Sequence, residues 1–265
     1  TAAKAVGCAV LLMISLFPIY WLLAMAIRPT DEMRGHIALI PQSLTGMHFA
    51  QLFTSENFGQ AIMNSLQTTF GSLIISLLAG ICAAYVIARR RFRFGLKKPM
   101  TYWVLLVRVL PPVAFTIPLY IMFNRLGVLN TKLPVMLACV LINVPLIIWF
   151  LISFFQDLPE EIEESAKVDG ATEWQLFCKI VLPLVAPGIA AVSMLSFMYA
   201  WNEYTYTVIF TRIPANNTVP LALALLNTED NLTNFGLVAA GGVISVIPIT
   251  LFVIFAQNYL SSGLS

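Results

Sequence analysis

The chain has 265 residues, of which 59% are apolar and only 11% charged, and its formal net charge is +2. A soluble domain carries about 45–50% apolar and about 25% charged residues, so a water-soluble globular fold of this size is excluded, as is intrinsic disorder, which needs few apolar residues. Fifteen basic residues against 13 acidic ones leave no footprint for nucleic acid.

The charges cluster, and the gaps between them locate the candidate spans. A helix crossing a hydrocarbon core of about 30 Å needs about 20 mostly apolar residues. Six runs reach that length. Residues 5–27 are uncharged and close at Arg28-Pro29; 57–88 are uncharged; 99–124 carry Arg108 alone; 133–156 are uncharged; 180–211 carry Glu203 alone; 231–265 are uncharged. These runs predict an all-α polytopic membrane fold in a single domain over 1–265, with six transmembrane helices at about 5–27, 61–88, 100–123, 133–155, 184–210 and 236–260. A transmembrane barrel would need alternating segments of about 9–11 residues, and these runs do not alternate. The first run has 23 uncharged residues and no small-residue cleavage site, which argues against a signal peptide.

Basic loop residues set orientation. With six spans, the side that holds both termini carries nine Lys and Arg against five on the other, and the excess rests on Arg89, Arg90, Arg91, Arg93, Lys97 and Lys98. Both termini are therefore expected in the cytoplasm, and the basic run doubles as a headgroup anchor. Cys8, Cys82, Cys139 and Cys178 form no C-x-x-C, so neither a metal site nor a disulfide framework is suggested. His36 and His48 share one loop without a ligand cluster, and no metal is expected.

The segment 157–183 reads DLPEEIEESAKVDGATEWQLFCKIVLP and holds seven of the 13 acids. Asp157-x-x-Glu160 has the form of a capping box, and Thr172-x-x-Gln175 offers a second. The acids suit the positive end of a helix dipole, Gly170 suits a left-handed helix end, and Pro183 and Pro187 suit a first turn. We read two short helices hinged at Gly170. By composition alone this is an ordinary solvated amphipathic loop; a spaced motif changes that reading.

The loop resembles the coupling motif of importer permeases of the ABC transporter family, E-A-A, three residues, Gly, nine residues, I-x-L-P. Here it is Glu164-Ser165-Ala166, then Asp169 before Gly170, then Ile180-Val181-Leu182-Pro183, with Ser165 the single departure in seven fixed positions over 20 residues. The resemblance runs along nearly the whole chain and is greatest to carbohydrate-uptake permeases, the second, six-span subunit of the maltose-type importer in particular. Arg28-Pro29-Thr30, Asn64-Ser65, Leu110-Pro111-Pro112, Asp169-Gly170-Ala171-Thr172, Trp201-Asn202 and Gly263-Leu264 carry it. The family tail continues beyond Gly-Leu and Thr1 is not a start methionine, so both ends are expected to be trimmed. The resemblance implies a bacterial inner-membrane subunit working with a second permease subunit, two ATPase subunits and an extracytoplasmic solute-binding protein, and carrying a carbohydrate. No G-x-x-x-x-G-K-[ST] occurs in the chain, so no cofactor is expected on it, and ATP and Mg belong to the partner ATPase. Glu164, Ser165, Ala166, Asp169, Gly170, Ile180, Leu182 and Pro183 are then the candidate ATPase-coupling residues, with Ser165 and Ala166 keeping the docking face thin.

Two charges remain inside spans, and such residues are functional candidates by default. On straight helices Arg108 and Glu203 differ in depth by about 14 Å, too far for a direct pair. Pro111 and Pro112 free the carbonyls of Val107 and Arg108, so Arg108 either faces the translocation path or serves those carbonyls. Asn202 and Glu203 are candidate path residues, whereas Trp201 and Tyr204 suit an interfacial aromatic belt. An ABC permease for amino acids, peptides or anions and an ion-coupled secondary transporter remain as alternatives. The latter leaves the coupling motif unexplained and would favour inverted repeats, which are not evident. A membrane enzyme would need reactive groups at one depth.

Overall fold

A computed structural model of the chain describes residues 2–33, 37–89, 97–226 and 235–261. Thr1, Arg34, His36, Arg90, Arg91, Arg93, Asn231, Gly263, Leu264 and Ser265 lie outside the described residues. Among those described, all regular structure is helical. Four helices are long and apolar enough to cross a membrane: α1 (Ala2–Ala26), α3 (Phe58–Arg89), α6 (Leu133–Gln156) and α13 (Phe235–Ser261). The helix α3 begins before Asn64-Ser65, so those two residues lie within it and do not open it.

Where the sequence predicts continuous helices over 100–123 and 184–210, the structure has broken ones. In the first, α4 (Lys97–Val109) stops before Pro111, a 3-10 turn follows over Pro112–Phe115, and α5 (Thr116–Arg125) continues, with a bend of 95° between Lys98–Val109 and Pro112–Arg125. Neither proline can donate to the helix, each ring crowds the carbonyl four residues back, and Leu110 is pushed from helical geometry by the proline after it. In the second, Glu173–Leu184 and Ala186–Trp201 meet at 73°. The helix α10 (Ala186–Trp201) ends two residues before Glu203, and α11 (Thr205–Phe210) starts anew. Both breaks invalidate a straight-helix estimate of the depths of Arg108 and Glu203. Counting each bent pair as one span raises the number of candidate spans from four to six. The shorter helices are α2 (Met47–Thr54), α7 (Glu160–Val168), α8 (Glu173–Gln175), α9 (Leu182–Leu184) and α12 (Val219–Leu225).

The chain divides into two compact units, one of Thr1–Asn64 with Asn217–Pro248 and one of Ser65–Asn216 with Ile249–Ser265. In the first, the loop after α1 folds around Arg28, which is 1% exposed. Its guanidinium donates to the Ala38 carbonyl (2.5 Å) and lies over the Trp21 ring (5.8 Å). The His48 ring meets the Arg28 carbonyl through Nε2 at 2.9 Å. A Cβ at position 236 would lie 2.2 Å from that nitrogen, so glycine is required there. Asn64 Nδ2 donates to the Asn217 carbonyl. Glu32 accepts from the Ser43 hydroxyl and from the Ser43 and Gln42 amides; the hydroxyl above all holds its carboxyl below the ordinary 4.5. The support this clasp gives is present above the ordinary carboxylate range and is lost as pH falls through the lowered pKa.

In the second unit α4 and α10 both pack on α6. Two glycines permit close approach. A Cβ at Gly80 would lie 2.6 Å from Ile147 Cγ2, and one at Gly188 2.6 Å from the Phe154 ring. Phe197 stacks on Phe252 at 4.2 Å and on Trp201 at 5.9 Å. One apolar cluster joins Tyr85, Ile147, Leu151 and Phe155 to Ala166, Leu176 and Phe177. Another joins Phe123, Val135 and Ala138 to Tyr206 and Phe210. Because Ile147 is fully buried, it has no free space to retreat into. Gly80→Ala is expected to cost about 1–3 kcal/mol through overpacking, read as a lower unfolding temperature in detergent, with Ile147→Ala in the same chain restoring part of the loss.

Candidate functional site

The loop between α6 and α10 is a pair of short helices around a tight turn. Asp157 does not cap α7: it closes α6, its amide donating to the Ser153 carbonyl at 2.9 Å. The N-cap of α7 is Pro159, with φ −58° and ψ 135° and no side-chain cap bond. The proline imposes extended geometry on Leu158, so helix resumes only at Glu160. At the other end Gly170 adopts φ +83°. The Gly170 amide donates to Lys167 at 3.1 Å and the Ala171 amide to Ala166 at 3.0 Å, the bond pattern of a Schellman ending. Thr172 then opens the second helix with a full capping box: its hydroxyl accepts from the Gln175 amide (3.2 Å) and its amide donates to Gln175 Oε1 (2.9 Å). After α8 the backbone widens into a π-helical stretch over Leu176–Val181 before α9. Pro183 and Pro187 occupy first-turn positions of α9 and α10.

This geometry sorts the coupling candidates. Glu164, Ser165, Asp169 and Gly170 are exposed around the turn, and Pro183 is exposed at the far end. Ile180 and Leu182 are half-buried. Ala166 is 6% exposed and points into the cluster with Leu176 and Phe177, so it joins the loop to the body and forms no part of the exposed face that the sequence reading gave it. Two residues the motif did not flag, Val168 (87% exposed) and Trp174 (70%), stand on the open face beside the turn. The lysine–glutamate contact across the turn, Lys167 to Glu173 at 3.5 Å, is solvent-exposed and worth little. Arg89, read in the sequence as part of the basic run, bonds into this loop at the end of α3.

The intramembrane charges separate. Arg108 sits in the last turn of α4, exposed on the wall of a cavity of about 340 Å³ that Leu110, Pro112, Pro145, Leu195 and Tyr199 also line. Its guanidinium lies over Trp149 at 5.5 Å. Glu203 is 8% exposed and belongs to the start of α11: its carboxylate accepts from the Tyr206 amide (2.7 Å), the Thr207 amide (3.1 Å) and the Thr207 hydroxyl (3.1 Å). Asn202 is exposed and bonds back to the Met198 carbonyl at 2.8 Å. Trp201, assigned from the sequence to an interfacial belt, is 2% exposed and stacked in the core. Tyr206, not singled out by the sequence, donates to the Pro112 carbonyl at 2.8 Å and so ties α11 to the break after α4. Replacing Glu203 by Ala leaves two buried amides unmet and is expected to destabilise the fold by about 1–3 kcal/mol. Glu203→Gln, which keeps one of the two acceptor oxygens, costs less; thermal unfolding followed by the fluorescence of neighbouring Trp201 separates the two.

The fold is that of a polytopic helical membrane protein with broken spans and a two-helix loop after α6. Residues 76–265 match the family of binding-protein-dependent transport system inner membrane components, and the chain belongs to that family. It is 30% identical to the trehalose transport system permease protein SugB of Mycobacterium tuberculosis, over 95% of this chain and 91% of that one. It is 31% identical to the diacetylchitobiose uptake system permease protein DasC of Streptomyces coelicolor, over 97% and 93%. A solved bacterial ABC transporter for import of the acidic polysaccharide alginate contains a chain of the same fold, with a TM-score of 0.81, 19% identity and coverage of 97% and 95%. A further alginate transporter structure, in complex with its pentasaccharide-bound periplasmic protein, matches with a TM-score of 0.73, 19% identity and coverage of 97% and 92%. The protein is thus a multi-pass inner-membrane permease.

Proposed function

We propose that this chain is one permease subunit of an ATP-driven, binding-protein-dependent carbohydrate importer, and that the loop around Gly170 is where a partner ATPase drives it. The observation that carries the reading is the turn itself: two capped helices meet at a left-handed glycine, and Glu164, Val168, Asp169 and Trp174 project from the exposed side. A rigid pair of that size suits a cleft in another subunit and can follow its rotation as one body. Glu164 and Asp169 supply anionic groups for basic residues in the cleft, and Val168 and Trp174 supply apolar contact. Sugar transport by the trehalose and diacetylchitobiose relatives supports a carbohydrate cargo.

Each bent pair is counted as one crossing, which gives six spans. The nine-to-five bias of basic residues favours both termini and the Gly170 loop in the cytoplasm. The partners are a second permease subunit, two ATPase subunits that hold ATP and Mg, and a solute-binding protein outside. The wall formed by Arg108, Pro112 and Tyr199 is this chain's contribution to the path; Asn202 is exposed nearby in sequence, and Glu203 supports the path by holding α11 in place.

The test is uptake into liposomes that contain the complete assembly, with and without ATP, over a panel that includes trehalose, diacetylchitobiose and amino acids. Carbohydrate accumulates only with ATP. Uptake by this chain alone under an ion gradient overturns the ABC reading, and uptake of amino acids without carbohydrate overturns the cargo. Gly170→Val, which forces a β-branched residue into a positive φ, and Glu164→Lys are each expected to abolish ATP-driven uptake while membrane insertion persists. Wild-type uptake in both removes the loop as the docking element.

A further inference from the structure

The basic run after α3 has the composition of a headgroup anchor, but Arg89 does not behave as one. Its side chain is only 7% exposed and Glu163 beside it 15%, and its donors point into the protein. Arg89 Nε donates to Glu163 Oε1 at 2.6 Å, Nη1 to the Leu158 carbonyl at 3.0 Å and Nη2 to the Pro159 carbonyl at 3.5 Å. Leu158 and Pro159 are the link between α6 and α7, and Glu163 lies in the first turn of α7. One planar, always-charged fork therefore grips the loop at its entry and at its first helix, a geometry a lysine point charge cannot reproduce. One turn earlier on α3, Tyr85 meets the rings of Phe155 (5.6 Å) and Phe177 (4.8 Å). The end of α3 thus touches α6, the link, α7 and the π-helical stretch, and none of these contacts involves the Gly170 turn.

We propose that Arg89 is a positioning residue that makes α3 and the two-helix loop a single lever, so that ATPase motion received at the Gly170 turn enters the membrane through α3. The proposal rests on the loop being the docking element. A partly buried ion pair with further hydrogen bonds holds one geometry and is costly to break by removing one partner. The helix that it moves is 32 residues long, about 48 Å at 1.5 Å per residue, long enough to carry a displacement across the bilayer. Buried Thr69, Ser72 and Ser76 lie along it, so a shift of α3 moves a polar line within an apolar core.

The experiment places Arg89→Gln, Arg89→Lys and Glu163→Gln in the complete assembly in liposomes. It measures ATPase co-purification, ATP hydrolysis and sugar uptake, together with amide exchange over 160–168. In Arg89→Gln the ATPase stays bound and hydrolysis persists, exchange in α7 quickens, and uptake per ATP falls about tenfold, within the usual range of coupling energies. Arg89→Lys recovers part of that ratio. Glu163→Gln, which leaves both carbonyl bonds in place, gives an intermediate loss and serves should Arg89→Gln fail to assemble. Unchanged uptake per ATP overturns the proposal, as does a proportional loss of hydrolysis and uptake, which would mean that Arg89 only builds the docking surface. The two readings fail separately: wild-type uptake in Gly170→Val and Glu164→Lys removes the dock, whereas wild-type uptake per ATP in Arg89→Gln with the ATPase bound removes the lever alone.

Discussion

A peptide amide or carbonyl inside hydrocarbon has no water to turn to, and each one left unmet costs several kcal/mol. The long helices α1, α3, α6 and α13 meet this constraint mainly through their own ladders, from which Pro18, Pro145 and Pro248 each withdraw one amide. The broken ones need a substitute at every break. After α4 the peptide groups released at Pro111 and Pro112 are partly taken up by the following 3-10 turn, where the Ala114 amide donates to Pro111 at 2.9 Å, and by the Tyr206 hydroxyl on the Pro112 carbonyl. After α10 the first amides of α11 would be exposed to an apolar core, and the Glu203 carboxylate accepts two of them. Both repairs converge on α11, so one short helix of six residues links the break after α4 to the break after α10.

The loop around Gly170 also meets the bonding groups at its helix ends locally. It lies at the end of apolar helices and exposes large apolar side chains, yet both of its helices end in bonded caps. The Schellman pattern satisfies the last carbonyls of α7, and the Thr172–Gln175 box satisfies the first amides of the second helix. Ala166, Leu176, Phe177 and Val181 then fix the pair to Tyr85, Leu151 and Phe155 by burial. Only the turn and its neighbours remain free to meet another protein.

What could be read from the sequence follows from whether the signal is local. Runs without charge, the glycine at 170 and the Thr172 box are decided by a few adjacent residues, and all were legible. Asp157 misled because a capping box is only a pattern of side-chain types, and Pro159 between its members moved the helix start to Glu160. Ala166 was legible as a small residue but not as an inward one, since its direction depends on where Leu176 and Phe177 return. The bend angles, the Tyr206–Pro112 bond and the Arg89–Glu163 bond join residues 74 to 94 positions apart for the two bonds, and no spacing rule reaches that far. The likeness of the motif to a known family supplied the loop's role but not its attachment.

Arg108 and Arg89 show how the same residue type takes opposite parts. Both end a helix, and both look like stray cations at the margin of an apolar run. Arg89 meets a carboxylate and two carbonyls and is nearly enclosed, so its charge is spent on internal geometry. Arg108 is exposed, stacked on Trp149, and faces a cavity whose other walls are largely apolar. Among the described residues its guanidinium bonds to no carboxylate. A guanidinium at membrane depth is tolerated when it lines a cavity open to water or meets a partner, and Arg108 stands on a cavity wall. Arg89 is satisfied within the chain, and Arg108 is left open toward the cavity.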